Sequence, residues 1–183
     1  MPALQTNFQG EINKLQQNSA LVTLFILDGS AFGGTVFRFT NNPSASGGPI
    51  QFGGAFYQPI PIMAEGFDIT ATGTMAKPTL SLGNVGKVVQ AQMMQHGDLV
   101  GWKLSRIRTY EKFLDGKPEA NPGACIGPEA WLVEKLVMRS AMGIQWQLTT
   151  SLDRMAFKTG RQILKDESVR NLYAPGVART RVR

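Results

Sequence analysis

Apolar residues along this chain fall in short runs, most of them broken by turn residues within eight positions. Leu21–Leu27 (LVTLFIL) is compact, apolar and partly β-branched, the mark of a buried strand. In Ile144–Thr150 the pattern alternates: Ile144, Trp146 and Leu148 point one way, Gln145, Gln147 and Thr149 the other. Between these two, alternation predicts a strand over Thr35–Phe39 and a hairpin of Ile50-Gln51-Phe52 and Ala55-Phe56-Tyr57 about Gly53-Gly54. Short strands follow over Ile60–Met63, Phe67–Thr70 and Pro78–Leu82, then longer ones over Trp102–Tyr110 and Trp131–Met138. Helical signals are few. Residues 8–18 (FQGEINKLQQN) suit a short helix, and Val85–Gln95 would set Val85, Val88, Val89 and Met93 on one face. A helical turn is expected around Asp153–Lys158. Asn41–Gly48 and Asp115–Pro128 read as loops from their Pro, Gly, Ser and Asn content. The pattern predicts a mainly β domain with one or two short helices and no internal repeat.

Composition agrees and narrows the function. Of 183 residues, 20 are Gly and 10 Pro, while charged residues make up only 17%, which favours strands and turns over long helices. A chain of this mass buries roughly 70% of its unfolded surface as one domain. One cysteine, Cys125, excludes an intrachain disulfide framework and a thiolate metal cage. One histidine, His96, argues against a histidine metal centre or a Ser-His-Asp triad. No leader-like stretch opens the chain, and the longest apolar run, Ala20–Leu27, falls well short of the ~20 residues a membrane span requires. The expectation is a protein made in the cytosol, with no membrane span.

Charge is uneven. The net charge is +6, yet residues 1–153 are balanced, and the excess lies in residues 154–183, where eight basic residues face two acids. That arm invites a nucleic-acid reading, since each phosphate contact adds salt-dependent affinity. It equally suits acidic groups on a protein neighbour. Tyr173 is the single aromatic among the last twenty residues, so no stacking platform accompanies the arginines. The candidate partner-binding residues are Arg170, Leu172, Tyr173, Arg179, Arg181 and Arg183.

Other motifs carry no chemistry of their own. Asp28–Gly34 (DGSAFGG) lacks the Gly-Lys-Ser/Thr ending of a phosphate loop and reads as a turn between strands. Ser30 and Ser105 have no adjacent histidine to activate them, and no Gly-x-Ser-x-Gly elbow occurs. His96 precedes Gly97 at a helix end, where a cationic or hydrogen-bonding cap is its simplest role. Asp115, Glu119 and Glu129 read as loop acids too widely spaced for a calcium loop. Catalytic, cofactor-binding and metal-binding residues are therefore expected to be none.

The order of segments resembles the phage minor tail protein L family of lambda-like long-tailed phages. Asp28-Gly29-Ser30-Ala31-Phe32-Gly33 after an apolar strand is similar to that family's opening motif, with Val36-Phe37-Arg38-Phe39 next. The hairpin Phe52–Tyr57, then Pro59 and Pro61, Glu65-Gly66-Phe67, Thr72-Gly73-Thr74 and Ala76–Leu82 continue the resemblance. So do Asn84, Asp98-Leu99-Val100-Gly101, the strand to Tyr110, Phe113-Leu114-Asp115-Gly116 with Pro118, Asn121 and Pro122, and finally Leu152-Asp153 and Gly160–Leu164. It spans roughly residues 20–165.

The resemblance implies a β-barrel- or sandwich-like tail hub domain over residues 1–165 and a basic C-terminal extension over 166–183. It implies a structural virion protein at the tail tip, assembled in the host cytoplasm, between the distal end of the tail tube and the central hub. Its partners would be itself, as a symmetric oligomer such as a trimer, and the distal tail ring, hub and tape-measure end. Lambda-like members continue into a cysteine-rich segment that holds an iron–sulfur cluster. With one cysteine against the four thiolates such a cluster takes, that cofactor is not expected here. The alternative is a nucleic-acid-binding β domain using the arginine arm; a wall hydrolase would need a carboxylate pair or metal set that the sequence does not offer.

Overall fold

A computed structural model describes residues 9–10, 12–13, 19–44, 47–67, 77–83 and 88–151. Nine strands form one sheet: β1 (Leu21–Asp28), β2 (Val36–Thr40), β3 (Ile50–Phe52), β4 (Ala55–Pro59), β5 (Ile62–Glu65), β6 (Thr79–Gly83), β7 (Lys103–Tyr110), β8 (Cys125–Arg139) and β9 (Gly143–Thr149). The helix α1 (Val88–His96) stands between β6 and β7. Residues 9, 10 and 12 are helical, within the helix expected at 8–18; the remainder of that stretch lies outside the described residues. No helix among the described residues is long and apolar enough to cross a membrane.

Strand order is β3-β4-β2-β1-β7-β8-β9-β6-β5, antiparallel throughout except for β2 and β4. Seven strand steps separate β4 from β5 in that order, roughly 34 Å in a flat sheet. Yet only Ile60 and Pro61 join them, and three Cα steps span at most about 11 Å. The sheet must therefore curl until its ends meet. The closing bonds are visible: the Ile60 N–H donates to the Thr40 carbonyl at 2.9 Å, and the Gly83 N–H to the Pro61 carbonyl at 2.8 Å. The domain is mainly β as expected, and of the barrel- or sandwich-like forms that the resemblance implied it takes that of a staggered barrel. Its upper end is where β1, β6 and β8 finish and β2, β7 and β9 begin.

Alternation fills the interior. Phe25 and Leu27 of β1, Phe39 of β2, Leu80 and Leu82 of β6, Leu104 of β7, Val133 of β8, and Ile144, Trp146 and Leu148 of β9 form one buried cluster. The opposite face of β1, Val22 and Leu24, is also covered, by Ile50, Phe52, Tyr57 and Leu114 from the β3–β4 hairpin and the segment after β7. Burial on both faces explains why β1 reads as a continuous apolar run rather than an alternating one.

Five expectations are corrected. β8 starts at Cys125, inside the segment read as a loop to Pro128, because a bulge absorbs the proline. Arg106 pairs with Glu129 and Arg108 with Ile126, so one residue of β7 faces Gly127 and Pro128 of β8. Gly127, at φ +113, is required there, since a Cβ would meet the Arg106 carbonyl at 2.6 Å. Glu129 is consequently a strand residue, not a loop acid. β5 starts at Ile62 rather than Ile60, because Ile60 and Pro61 form the barrel's closing bonds. Phe67 lies beyond β5 in a loop, and residues 68–70 of the strand expected there lie outside the described residues. Thr149, expected to face outward, is buried.

Candidate interaction surfaces

The two ends of the barrel are built differently. At the upper end, Met93 of α1, Leu99 and Trp102 close the interior. Gly97 (φ +66) ends the helix in the left-handed conformation, and Trp146 Nε1 reaches across to donate to the Asp98 carbonyl at 3.0 Å. Leu99 holds φ +59, rare for a branched side chain, while wholly buried. The ring of Trp102 lies against Gly29 and Gly34, where a Cβ on either would collide with it, and stacks on Phe37 at 6.3 Å. The glycines of the DGSAFGG turn are thus a seat for an indole. Sequence reading assigned them only turn chemistry, because the partner lies seventy residues away.

Within that turn the Asp28 carboxylate accepts from Ser30 Oγ at 2.6 Å and Ser30 N–H at 2.9 Å, and these bonds, the side-chain one foremost, lower its pKa below the usual carboxylate range. Ser30 is therefore a turn residue with its hydroxyl spent on Asp28. His96 stands 5.7 Å from the Trp102 ring at the end of α1.

Towards the lower end, Arg106 lies against two rings that pack edge to face on each other, its guanidinium carbon 4.5 Å from the Phe67 centroid and 5.4 Å from that of Trp131. Glu129 binds Arg106 Nε at 2.7 Å and Arg108 Nη2 at 2.8 Å. One carboxylate thus holds the guanidinium groups of two alternate residues of β7. This cluster, which sequence spacing did not reveal because the bulge creates it, ties β7 to β8. Cys125 is half-buried near the Tyr57 cluster, and burial pushes its thiol pKa up, away from thiolate reactivity.

Outside the barrel's lower end runs a groove of about 450 Å³ between residues 42–44 and 49–51, the start of β1 and the segment 111–117. Val22, Ile50, Leu114 and Phe56 give it an apolar floor and wall, and Glu111, Asp115 and Lys117 line its rim. Phe56 is 60% exposed. The upper end bears exposed apolar side chains of its own: Phe32, Val36, Met94, Val100, Val137, Met138 and Met142.

Among the described residues no three His, Cys, Asp or Glu side chains converge as a metal site would require. A cysteine-ligated iron–sulfur cluster does not fit this chain: Cys125 is its one cysteine, and its Sγ faces the Pro122 carbonyl at 3.8 Å. The candidate arm residues Arg170, Leu172, Tyr173, Arg179, Arg181 and Arg183 lie outside the described residues, as do the turn expected at Asp153–Lys158 and the boundary expected at 165/166.

The family model of phage minor tail protein L matches residues 30–174. Tail tip protein L of Escherichia phage lambda is 31% identical over 139 residues, which is 73% of this chain and 60% of that protein. The chain thus spans about 60% of the length of the curated relative it matches. The matched residues run from the turn that seats Trp102 to beyond the last strand of the barrel, and the chain belongs to the phage minor tail protein L family.

Proposed function

We propose that this chain is a structural protein of the phage tail tip, standing between the distal end of the tail tube and the central hub in a symmetric set of copies, a trimer. The family match from Ser30 through the remaining strands of the barrel carries the reading, joined to the name of the lambda relative, a tail tip protein. The barrel supports it. A closed sheet with apolar side chains exposed at its upper end and a groove beside its lower end is equipped to be held by neighbours on two sides. The work is geometric: tube, tape-measure end and hub are kept in register, and no catalytic step is assigned to the chain. Its place is the virion, reached by assembly in the host cytoplasm.

The test is to label the chain in purified particles with a gold-conjugated antibody and to image the tails. Label confined to the tip supports the reading. Label along the tube, or a chain abundant in the lysate yet absent from particles, overturns it.

A further inference from the structure

β8 runs past its partner. The last residue it pairs with β7 is Leu132, opposite Lys103, and it continues to Arg139 beside β9 alone on the pairing side of the hairpin. Residues 137–142 are all exposed, so the tip of the β8–β9 hairpin stands clear of the barrel. Its apolar content is high for such a place: Val137 and Met138 are each 51% exposed and Met142 88%. The tip and its flank carry Lys135 and Arg139 and no acid between 135 and 143. A solvated hairpin end of this kind favours polar turn residues; here the turn is Ser140 to Gly143, and a methionine fills the most exposed position.

At the opposite end of the barrel lies the groove, with an apolar floor and a rim where Lys117 pairs with Glu111 at 3.0 Å and Asp115, accepting from the Gly54 N–H at 2.7 Å, leaves the negative charge in excess. The two features complement each other in polarity and charge. We propose that the hairpin tip of one copy docks in the groove of the next, Met142 and Met138 entering against Phe56 and Leu114, and Arg139 reaching the acids of the rim. This deepens the tail-tip reading and rests on it for its setting. Tip and groove are different surfaces at opposite ends of one molecule. The contact is therefore heterologous: repeated, it closes into a ring about an axis or runs on as a filament. A methionine suits the task because its unbranched, polarizable side chain adapts to an irregular groove.

Cross-linking reads the geometry directly. In the full chain, Met142→Cys and Ser44→Cys place one thiol on the tip and one beside the groove, and half-buried Cys125 in the unaltered chain serves as control. A short thiol–thiol cross-linker should give the double variant a covalent ladder. An equal mixture of the two single variants should stop at dimers, since each such pair has one reactive contact. Arg139→Glu should reduce ladder yield at fixed concentration about tenfold, because it sets a like charge against the rim acids, and Glu111→Arg in the same chain should restore it. Dimers from Met142→Cys alone at an equal rate would mean tip-to-tip packing and would overturn the proposal. So would the absence of any ladder both in concentrated chain and in tails shown by mass spectrometry to contain it. That second outcome leaves the tail-tip reading standing, whereas a ladder from purified chain that never enters particles would sink the reading and not the contact.

Discussion

Gly29 has an unexceptional backbone, φ −105, so its lack of a side chain is needed for space rather than for conformation. The Trp102 ring occupies the volume a Cβ would take at Gly29 and Gly34. We expect Gly29→Ala and Gly34→Ala each to lower stability by about 1–3 kcal/mol, the usual cost of overpacking, measured by urea unfolding. Combining either with Trp102→Leu should cost less than the sum of the two changes, because the ring that collides is gone; strict additivity would show that the seat does not matter. Asp28 beside them titrates below its ordinary range because Ser30 donates to it twice. A lowered folded pKa means that its contribution is complete above the ordinary carboxylate range and fades as pH falls through the folded value. Asp28→Asn should accordingly lower Tm at neutral pH by an amount worth at most about 1 kcal/mol, given its exposure, and the gap to wild type should close in acid. A gap independent of pH would assign the loss to turn shape instead of charge.

Among elements, those whose pattern is local were legible in the sequence. β1, β9 and the Gly53-Gly54 hairpin declared themselves through apolar runs, period two and paired glycines, and the fold class followed from them. What escaped depends on contacts distant in sequence. The start of β8 was hidden by Pro128, a residue that ordinarily ends a strand, because the bulge that admits it is shaped jointly with β7. The Arg106–Glu129–Arg108 cluster escaped for the same reason, being produced by a register shift that no spacing rule encodes. The groove is built by residues from three separate segments, and the arm residues named as partner-binding candidates have no counterpart among the described ones. The plug of the upper end was half legible: Val89 and Met93 were placed on one helix face and do pack on the core, while Val85 lies outside the described residues. Its latch was not legible, since Trp146 Nε1 bonds a carbonyl 48 residues away. Trp146→Phe keeps an aromatic ring, a smaller one, and removes that donor, leaving the Asp98 carbonyl without it. We expect a loss of about 1–2 kcal/mol and faster amide hydrogen exchange confined to residues 97–102. Exchange that rises equally across β6 and β9 would mean that the bond supports the barrel rather than the plug.

For the whole molecule, the distribution of charge sets the sharpest division between functions. Residues 1–153 are electrically balanced, and the excess of +6 lies in the 30 residues that follow. Four of its arginines, Arg170, Arg179, Arg181 and Arg183, fall within residues 168–183. If they neutralised four phosphates, binding to duplex DNA would weaken with salt at a slope of roughly −3.6 in log–log form, a loss of about a hundredfold between 50 and 200 mM. Should they instead meet carboxylates within a packed protein interface, the apolar part of that interface would persist, since salt screens only the exposed charges. Among the described residues the barrel closes through Ile60 and Pro61 and carries a buried core of its own. Deleting residues 168–183 should therefore leave a folded chain whose Tm shifts by no more than about 2 °C, since changes away from the core seldom exceed half a kcal/mol. Incorporation into particles should fall at least tenfold, and the intact chain should show no DNA affinity with the steep slope above. A truncated chain that unfolds would place the arm in the core. One that assembles normally would make the arm dispensable, and a steep salt slope on DNA would return the nucleic-acid reading to first place.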